Sequence, residues 1–119
     1  MSKTTTIKTS FTDEEAIKEV CKSMGLPASV KGTAGLYDRS THTGTIIKLP
    51  GWIYPVIITK DGKAHFDNYN GHWGDQKVLD QFRQTYSKVR VMKEFKKAGY
   101  TVQSQTAKAG KLVMNFAKY

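Results

Sequence analysis

A stripe of apolar side chains at helical spacing runs through residues 75–98 and does most to restrict the fold. Its members are Leu79, Phe82, Tyr86, Val89, Met92 and Phe95. Residues three or four apart lie on one side of an α-helix, so the segment predicts a long amphipathic helix that needs an apolar surface to pack against. The stripe shifts around the axis near Ser87, which leaves open one bent helix or two helices end to end. Gly99 predicts its end.

A shorter helix is predicted near the N-terminus. Residues 12–15, Thr-Asp-Glu-Glu, have the pattern of a capping box, in which Thr12 caps the helix and Glu15 reaches back to it. Apolar residues then follow at helical spacing: Ala16, Ile17, Val20, Cys21 and Met24. Gly25 predicts a left-handed stop for this helix.

The region between the two helices is rich in β-branched residues, aromatic residues and turn signals. Strands are predicted at 30–37, 45–49, 54–59 and 63–69, and a first strand at 3–9 with Ile7 facing inward. Pro50-Gly51 predicts a turn. Asp61-Gly62 is a two-residue hairpin signal, so the strands on either side of it are expected to pair antiparallel.

A closing hairpin is predicted at the C-terminus, with strands at 100–103 and 111–116 around Ala109-Gly110. The order is therefore strand, helix, several antiparallel strands, helix and hairpin. Helices on one face of an antiparallel sheet satisfy this order. The sequence predicts an α+β fold with an antiparallel β-sheet of four to seven strands and two main helices packed on one face, in a single domain over residues 1–119.

The chain has 119 residues, one cysteine and a formal net charge of +9. The lone Cys21 excludes an intramolecular disulfide and is typical of a reducing interior. No apolar run approaches the ~20 residues of a membrane span, and no signal-peptide core follows the polar residues 1–6. We therefore expect an unexported, cytoplasmic protein without membrane association.

The C-terminal half carries a pattern more specific than its periodicity. It reads Gln84-x-Tyr86, Val89, then Val91-x-x-Glu94-x-x-Lys97-x-Gly99-Tyr100-x-Val102, followed by a Gly110 turn and an apolar strand. The N-terminal half adds Thr6-Ile7-Lys8-Thr9 and a helix ending near Met24-Gly25-Leu26. In these residues the chain resembles the hypothetical chloroplast reading frame thirty-five family, a domain found in plastids, cyanobacteria and some viruses.

The resemblance covers most of the chain in order and implies an α+β fold. The segment from Trp52 to Val56 departs from the family's central strand, which puts any family site in the central sheet in doubt. Since the family has no established activity, the resemblance implies no catalytic or binding residues. It adds the interior of a plastid or of a host cell to the expected locations.

The positive charge is concentrated in the C-terminal part, where ten Lys or Arg and three acids follow from Asp75 onward. Six of the cations lie on the long helix: Arg83, Lys88, Arg90, Lys93, Lys96 and Lys97. A basic helical face is able to follow a phosphate backbone or to dock on an acidic protein. The alternative is a solvated surface without a partner.

Three aromatic residues lie beside predicted turns: Trp52, Tyr54 and Trp73. Trp52 and Tyr54 are expected to share a strand face. Aromatic rings near lysines are able to stack bases, although packing within the sheet is the alternative. Arg39 lies in the glycine-rich segment 31–44, which is predicted to be a mobile loop or hairpin tip and is a candidate phosphate contact.

Catalytic motifs are absent from the sequence, which has no Gly-x-Ser-x-Gly, Cys-x-x-Cys or His-Glu-x-x-His. His65, Asp67 and His72 are close in sequence but lack the spacing of a zinc site. Cys21 lies on the apolar stripe of the first helix, where a buried, unreactive thiol is expected. We expect no cofactor, no metal and no enzymatic activity.

Two functions remain open at this point. The first is a binding module for nucleic acid, RNA or single-stranded DNA, that uses the basic helix and the aromatic residues. The second is a protein-interaction adaptor or inhibitor that docks on an acidic partner protein. The sequence names neither the ligand nor the oligomeric state.

Overall fold

A computed structural model describes residues 4–9, 11–108 and 111–118. The elements are β1 (Thr5–Lys8), α1 (Glu14–Ser23), β2 (Val30–Gly35), β3 (Thr41–Ile47), β4 (Val56–Thr59), β5 (Lys63–Phe66), a 3-10 turn (Tyr69–Gly71), α2 (Gln76–Lys97), β6 (Tyr100–Lys108) and β7 (Lys111–Lys118). Five strands form an antiparallel sheet in the order β1-β5-β4-β3-β2, and β6 and β7 form a separate pair. The predicted α+β fold is confirmed, while the single domain stays a prediction.

Both helices pack on one face of the five-stranded sheet through a common core. Its helical members are Ala16, Ile17, Val20, Cys21, Leu79, Phe82 and Tyr86, and its strand members are Ile47, Val56, Ile58, Ala64 and Phe66. Phe11, just before α1, packs on α2, with its ring edge-on to Phe82 at 5.8 Å and to Tyr86 at 4.5 Å. Each fully buried side chain of this size contributes about 1.5–3 kcal/mol to stability.

The long C-terminal helix is continuous, which settles the choice between one helix and two. Its 22 residues span about 33 Å. The longest strand of the five-stranded sheet has seven residues and spans about 23 Å, so the sheet cannot cover the whole helix. Accordingly, the stripe is buried through Tyr86, half-buried at Val89 and Met92, and 37% exposed at Phe95. Gly99 ends the helix with a φ of 87°, as predicted.

The predicted capping box at the start of α1 is wrong. The N-cap is Asp13, whose carboxylate accepts a hydrogen bond from the backbone N–H of Ala16 at 3.1 Å. Thr12 is therefore one residue too early. A carboxylate is a strong cap because it accepts this bond and also interacts favourably with the positive end of the helix dipole.

The segment 31–44, predicted to be a mobile loop or hairpin tip, is a paired hairpin. Gly32 lies opposite Gly44 and Thr33 opposite Thr43 in the β2–β3 ladder, which leaves only residues 36–40 as the tip. The strand predicted from residue 54 begins at Val56. Trp52 and Tyr54 consequently do not share a strand face, since Pro55 has no N–H to offer a ladder.

The β2–β3 hairpin curves over the face of the sheet opposite the helices. Along the ladders, Ile46 pairs with Ile57 and Ile57 with His65, so His65 is aligned with Ile46. Yet the ring of His65 stacks on His42, which is four residues, or about 13 Å of extended chain, away from Ile46. The strand β3 must therefore bend toward β5.

A glycine allows this bend. A Cβ placed on Gly44 would lie 2.1 Å from the carbonyl oxygen of Ile58, a distance that real side chains do not reach. Ile57, on the sheet face that the hairpin covers, and Leu36, on the hairpin tip, are both buried, and neither belongs to the main core. These two side chains are thus buried outside the main core.

Candidate nucleic-acid interface

Three tyrosine rings surround Trp73. Its ring centroid lies 5.0 Å from that of Tyr37, 5.6 Å from that of Tyr54 and 4.8 Å from that of Tyr69. These residues come from the hairpin tip, from the loop before β4 and from the 3-10 turn. We call Tyr37, Tyr54, Tyr69 and Trp73 the Trp73 cluster.

Backbone hydrogen bonds hold the centre of the Trp73 cluster in place. The carbonyl of Trp73 accepts from the N–H of Ile53 at 2.9 Å, and its N–H donates to the carbonyl of Asn68 at 3.0 Å. The next residue, Gly74, lies against the ring of Trp52, where a Cβ would be only 2.4 Å from a ring carbon. The indole of Trp73 is therefore presented by a preorganised backbone.

The 3-10 turn beside Trp73 has an unusual backbone. Tyr69 and Asn70 have φ values of 46° and 52°, in the left-handed region that a tyrosine rarely occupies. Such residues cost of order 1–3 kcal/mol each and cluster at functional sites. Asp67 supports the turn, because its Oδ1 accepts from the N–H of Tyr69 at 3.0 Å. The other carboxylate oxygen of Asp67 is buried and has no hydrogen-bond partner among the described residues.

The Trp73 cluster lies at the surface. Tyr37 is 54% exposed, and the neighbouring Ile53 is 64% exposed. Tyr54, Tyr69 and Trp73 are half-buried, so parts of their rings stay accessible. Partly exposed aromatic rings on a rigid backbone are able to stack on another flat ring or to anchor a protein partner.

Trp52, a predicted site residue, lies outside the Trp73 cluster. Its ring packs edge-on to Phe66 of the core at 5.8 Å, and its Nε1 donates to the carbonyl of Asp75 at 3.1 Å. These contacts give Trp52 a structural role at the start of α2. The sequence interpretation missed Tyr37, which no local signal marked. It noted that Tyr69 and Trp73 flank the Asn70-Gly71 turn but did not include Tyr69 among the site residues.

The six cations of the predicted basic cluster on α2 fall into two groups, those that pair with acids and those that do not. Arg90 Nη1 and Lys93 Nζ both contact Asp13 Oδ2, at 2.7 and 2.8 Å. Arg90 also pairs with Glu94 at 3.1 Å, and Lys93 with Glu15 at 3.3 Å. These two cations therefore connect α2 to the N-terminus of α1, and their charge is largely compensated within the protein.

The carboxylate of Asp13 shows the strength of this connection. The hydrogen bond from Lys93, together with the Ala16 amide and the nearby charges, lowers the pKa of Asp13 to about 2, against the opposing effect of partial burial. The same hydrogen bond raises the pKa of Lys93. The backbone N–H of Asp13 donates to the hydroxyl of Tyr86 at 3.2 Å, which adds a second link between the helices.

The remaining cations of the predicted cluster are Arg83, Lys88, Lys96 and Lys97. Within the described part of the chain, none of these four has an acid at ion-pair distance. Lys88 and Lys96 line an open groove of about 500 Å³ between α1 and α2, opposite Glu19. These cations are free to meet an external anion.

Arg39 lies on the hairpin tip, close in sequence to Tyr37. Its φ of 68° is left-handed, and its N–H donates to the carbonyl of Leu36 at 3.0 Å, which closes the tip. The side chain is exposed. The predicted phosphate contact thus lies two residues from a member of the Trp73 cluster, far along the chain from the cations of α2.

The structure does not bring the candidate metal and thiol residues together at one point. Cys21 is 1% exposed, as predicted, and burial raises the pKa of its thiol. His72 contacts the ring of Tyr69, whereas His65 lies on β5 and stacks on His42. No group of three or more metal-binding side chains occurs among the described residues. The absence of a bound metal and the inertness of the thiol stay predictions.

Comparison with protein-family models, with curated proteins and with solved structures finds no match to this chain. The resemblance to the chloroplast reading-frame family is therefore an inference from the residues alone. None of the helices in the described residues is both long enough and apolar enough to span a bilayer.

Proposed function

We propose that the protein is a non-enzymatic binding module for single-stranded nucleic acid, RNA or DNA, and that the Trp73 cluster stacks the bases. The observation that carries the proposal is the group of partly exposed rings around Trp73, in a chain with a net charge of +9. Every base has a π-face, so such a surface accepts many sequences.

Cations from two parts of the protein would contact the phosphate backbone. Arg39 lies two residues from Tyr37 of the Trp73 cluster, and Lys96 and Lys97 lie about 30 Å along the axis of α2 from its first residue, Gln76. A strand of several nucleotides would contact both ends. Phosphate contacts of this kind carry no sequence information, so the protein should show little preference among nucleotide sequences. Its affinity should fall steeply as the salt concentration rises.

The experiment is a titration of labelled oligonucleotides at two salt concentrations. Trp73→Ala should weaken binding by about 1–3 kcal/mol, and Tyr37→Ala should act in the same direction with less risk to the fold, since Tyr37 is more exposed. Trp52→Phe is the matched control, because Trp52 lies outside the cluster. Unchanged affinity in both Tyr37→Ala and Trp73→Ala would refute the proposal.

A second candidate function is an adaptor or inhibitor that docks on an acidic partner protein. The observation that favours it is Ile53, which is 64% exposed beside the Trp73 cluster and offers nothing to a phosphate. Tryptophan and tyrosine around an aliphatic residue also form the centres of protein interfaces. A partner recovered from the native host after nuclease treatment and at high salt would favour this function over nucleic-acid binding.

The proposed cellular location and the family resemblance are compatible with either function. We place the protein in the cytoplasm or in the interior of a plastid or host cell, supported by its single buried thiol and by the resemblance of residues 84–102 to the chloroplast reading-frame family. Fractionation of the native host with a specific antibody tests the location.

A further inference from the structure

The tip of the β2–β3 hairpin is tied to the first strand of the sheet. Thr4, next to β1, donates from its N–H and its hydroxyl to Asp38 Oδ2, at 3.3 and 2.5 Å. Its hydroxyl also lies 3.0 Å from the hydroxyl of Ser40. The hairpin tip and β1 belong to opposite ends of the strand order, so these contacts close the curved sheet on itself.

Two stacked imidazole rings lie next to this closure. The rings of His42 and His65 are 4.2 Å apart and 15° from parallel. His42 Nε2 is 3.0 Å from the Ser40 hydroxyl. His65 Nδ1 is 2.9 Å from the Thr6 hydroxyl on β1, and His65 Nε2 is 3.2 Å from the Thr59 hydroxyl on β4. The pair therefore links β1, β3, β4 and β5.

A carboxylate lies beyond each imidazole. On one side, the Ser40 hydroxyl donates to Asp38 Oδ1 at 2.5 Å. On the other, the Thr59 hydroxyl donates to Asp61. Hydroxyl groups both donate and accept, so this arrangement satisfies neutral imidazoles and also a single imidazolium. It offers nothing that separates two imidazolium charges stacked face to face.

We propose that the His42–His65 stack is a proton-operated latch, which holds the hairpin tip on β1 and β5 at neutral pH and releases it when both rings are charged. The tip carries Tyr37, whose ring packs on Trp73. Release of the latch therefore removes Tyr37 from the Trp73 cluster. The effect of the latch on a ligand rests on the proposed function, whereas the latch itself does not.

The charged groups around the pair set the direction of the response. Burial, and then the charges of His42 and Lys63, lower the pKa of His65, and Asp61 opposes them. Lys8 of β1 lies opposite Lys63 and adds positive charge on the same side. On the hairpin tip, hydrogen bonds from Ser40 and Thr4 hold the pKa of Asp38 well below its usual range, so Asp38 stays ionised throughout the transition.

The sign of the effect follows from these shifts. The unfolded chain takes up a proton on His65 near pH 6.5, whereas the folded protein resists it until a lower pH. The closed arrangement is therefore fully stable above pH 6.5 and loses stability as the pH falls below that value. Opening of the hairpin tip is therefore expected as the pH falls below 6.5, while Asp38 is still ionised.

The test follows the emission of Trp73 between pH 8 and pH 5 in the full chain, without nucleic acid. Trp52→Phe leaves Trp73 as the only tryptophan. We expect a transition with its midpoint below pH 6.5. His42→Gln keeps a hydrogen-bonding side chain beside Ser40 but removes the charge, so it should abolish the transition. His72→Gln, which removes the third histidine of the chain, should preserve it. A transition that is unchanged in His42→Gln, or absent in the parent, would overturn the latch.

A second measurement keeps the proposal testable where a variant does not fold. In the unsubstituted protein, nuclear magnetic resonance follows the His65 ring and the proximity of the Tyr37 and Trp73 rings through the same pH range. The two should change together, and a Tyr37–Trp73 contact that persists at pH 5 would overturn the latch. A normal transition in a protein that binds no oligonucleotide would refute the nucleic-acid function alone.

Discussion

The two halves of α2 are held to the rest of the protein by different forces. In the first half, Leu79, Phe82 and Tyr86 are buried in the core. In the second half, Arg90 and Lys93 hold the N-terminus of α1 by charge, and the apolar stripe is no longer buried. Apolar burial is largely indifferent to pH, whereas ion pairs weaken with acid and with salt.

The same comparison separates the two parts of the proposed binding surface. The Trp73 cluster precedes the buried half and rests on backbone hydrogen bonds, so its geometry is set by the fold. The free cations at the other end of α2 have flexible side chains and no acid to position them among the described residues. One end therefore supplies shape and the other supplies charge.

The largest expected effect tests the buried half of α2. Phe82→Ala removes a ring that is almost completely buried and should lower the free energy of unfolding by about 3–5 kcal/mol. Phe95→Ala, the same change on the exposed half, should cost clearly less because part of that ring is already in water. Denaturation by urea, followed by circular dichroism, measures both. Equal losses would show that the two halves are packed alike.

The next effect tests the charged half. Asp13→Ala removes the cap of α1 and the shared partner of Arg90 and Lys93, and should cost about 1–3 kcal/mol. Asp13→Asn retains a good capping side chain but removes the charge. The difference between the two variants measures the cap, and the loss that remains in Asp13→Asn measures the ion pairs. A fully stable Asp13→Asn protein would mean that the ion pairs contribute nothing.

Acid should weaken the charged half before the buried half. The pKa of Asp13 is about 2 in the folded protein and 3.8 in the reference state, so the unfolded chain binds the proton first. Stability from Asp13 is therefore complete above about pH 4 and is lost as the pH falls toward 2. The free energy of unfolding, measured between pH 5 and pH 2, should fall less steeply in Asp13→Asn than in the unsubstituted protein. Parallel curves would contradict the assignment.

The elements that were predicted correctly depend on local signals. The long helix, the Asp61-Gly62 hairpin and the stop at Gly99 each follow from residues that are near one another in sequence. The N-cap of α1 was missed by one residue. Spacing alone favours Thr12 as well as Asp13, and the cations that stabilise Asp13 come from the other end of the chain.

The candidate site was predicted only in part, because its contacts are long-range. Arg90 was interpreted as a free cation, but its partner Asp13 lies 77 residues away. Tyr37 was overlooked because nothing near it in the sequence indicates that the hairpin tip reaches Trp73. The Tyr37–Trp73 contact depends on the course of the β2–β3 hairpin, which bends at Gly44, and periodicity does not encode the direction of a bend.

The smallest expected effect on stability concerns the unpaired cations at the C-terminal end of α2. Reversing Lys96 and Lys97 to Glu together should lower the free energy of unfolding by only about 1 kcal/mol: both side chains are exposed and no described acid pairs with them, but they lie in the last turn of α2, where a positive charge is favourable. The same double reversal should weaken binding of every oligonucleotide alike and make it less dependent on salt, since each lost phosphate contact lowers the salt slope by about 0.7 on a single strand.

Reversal of Lys48 and Lys60, which are exposed on other loops, changes the net charge by the same amount and is the control. Titrations at two salt concentrations with all three proteins separate a local contact from a general attraction by charge. Equal losses from the two double reversals would remove the end of α2 from the binding surface and leave the Trp73 cluster as its only defined part.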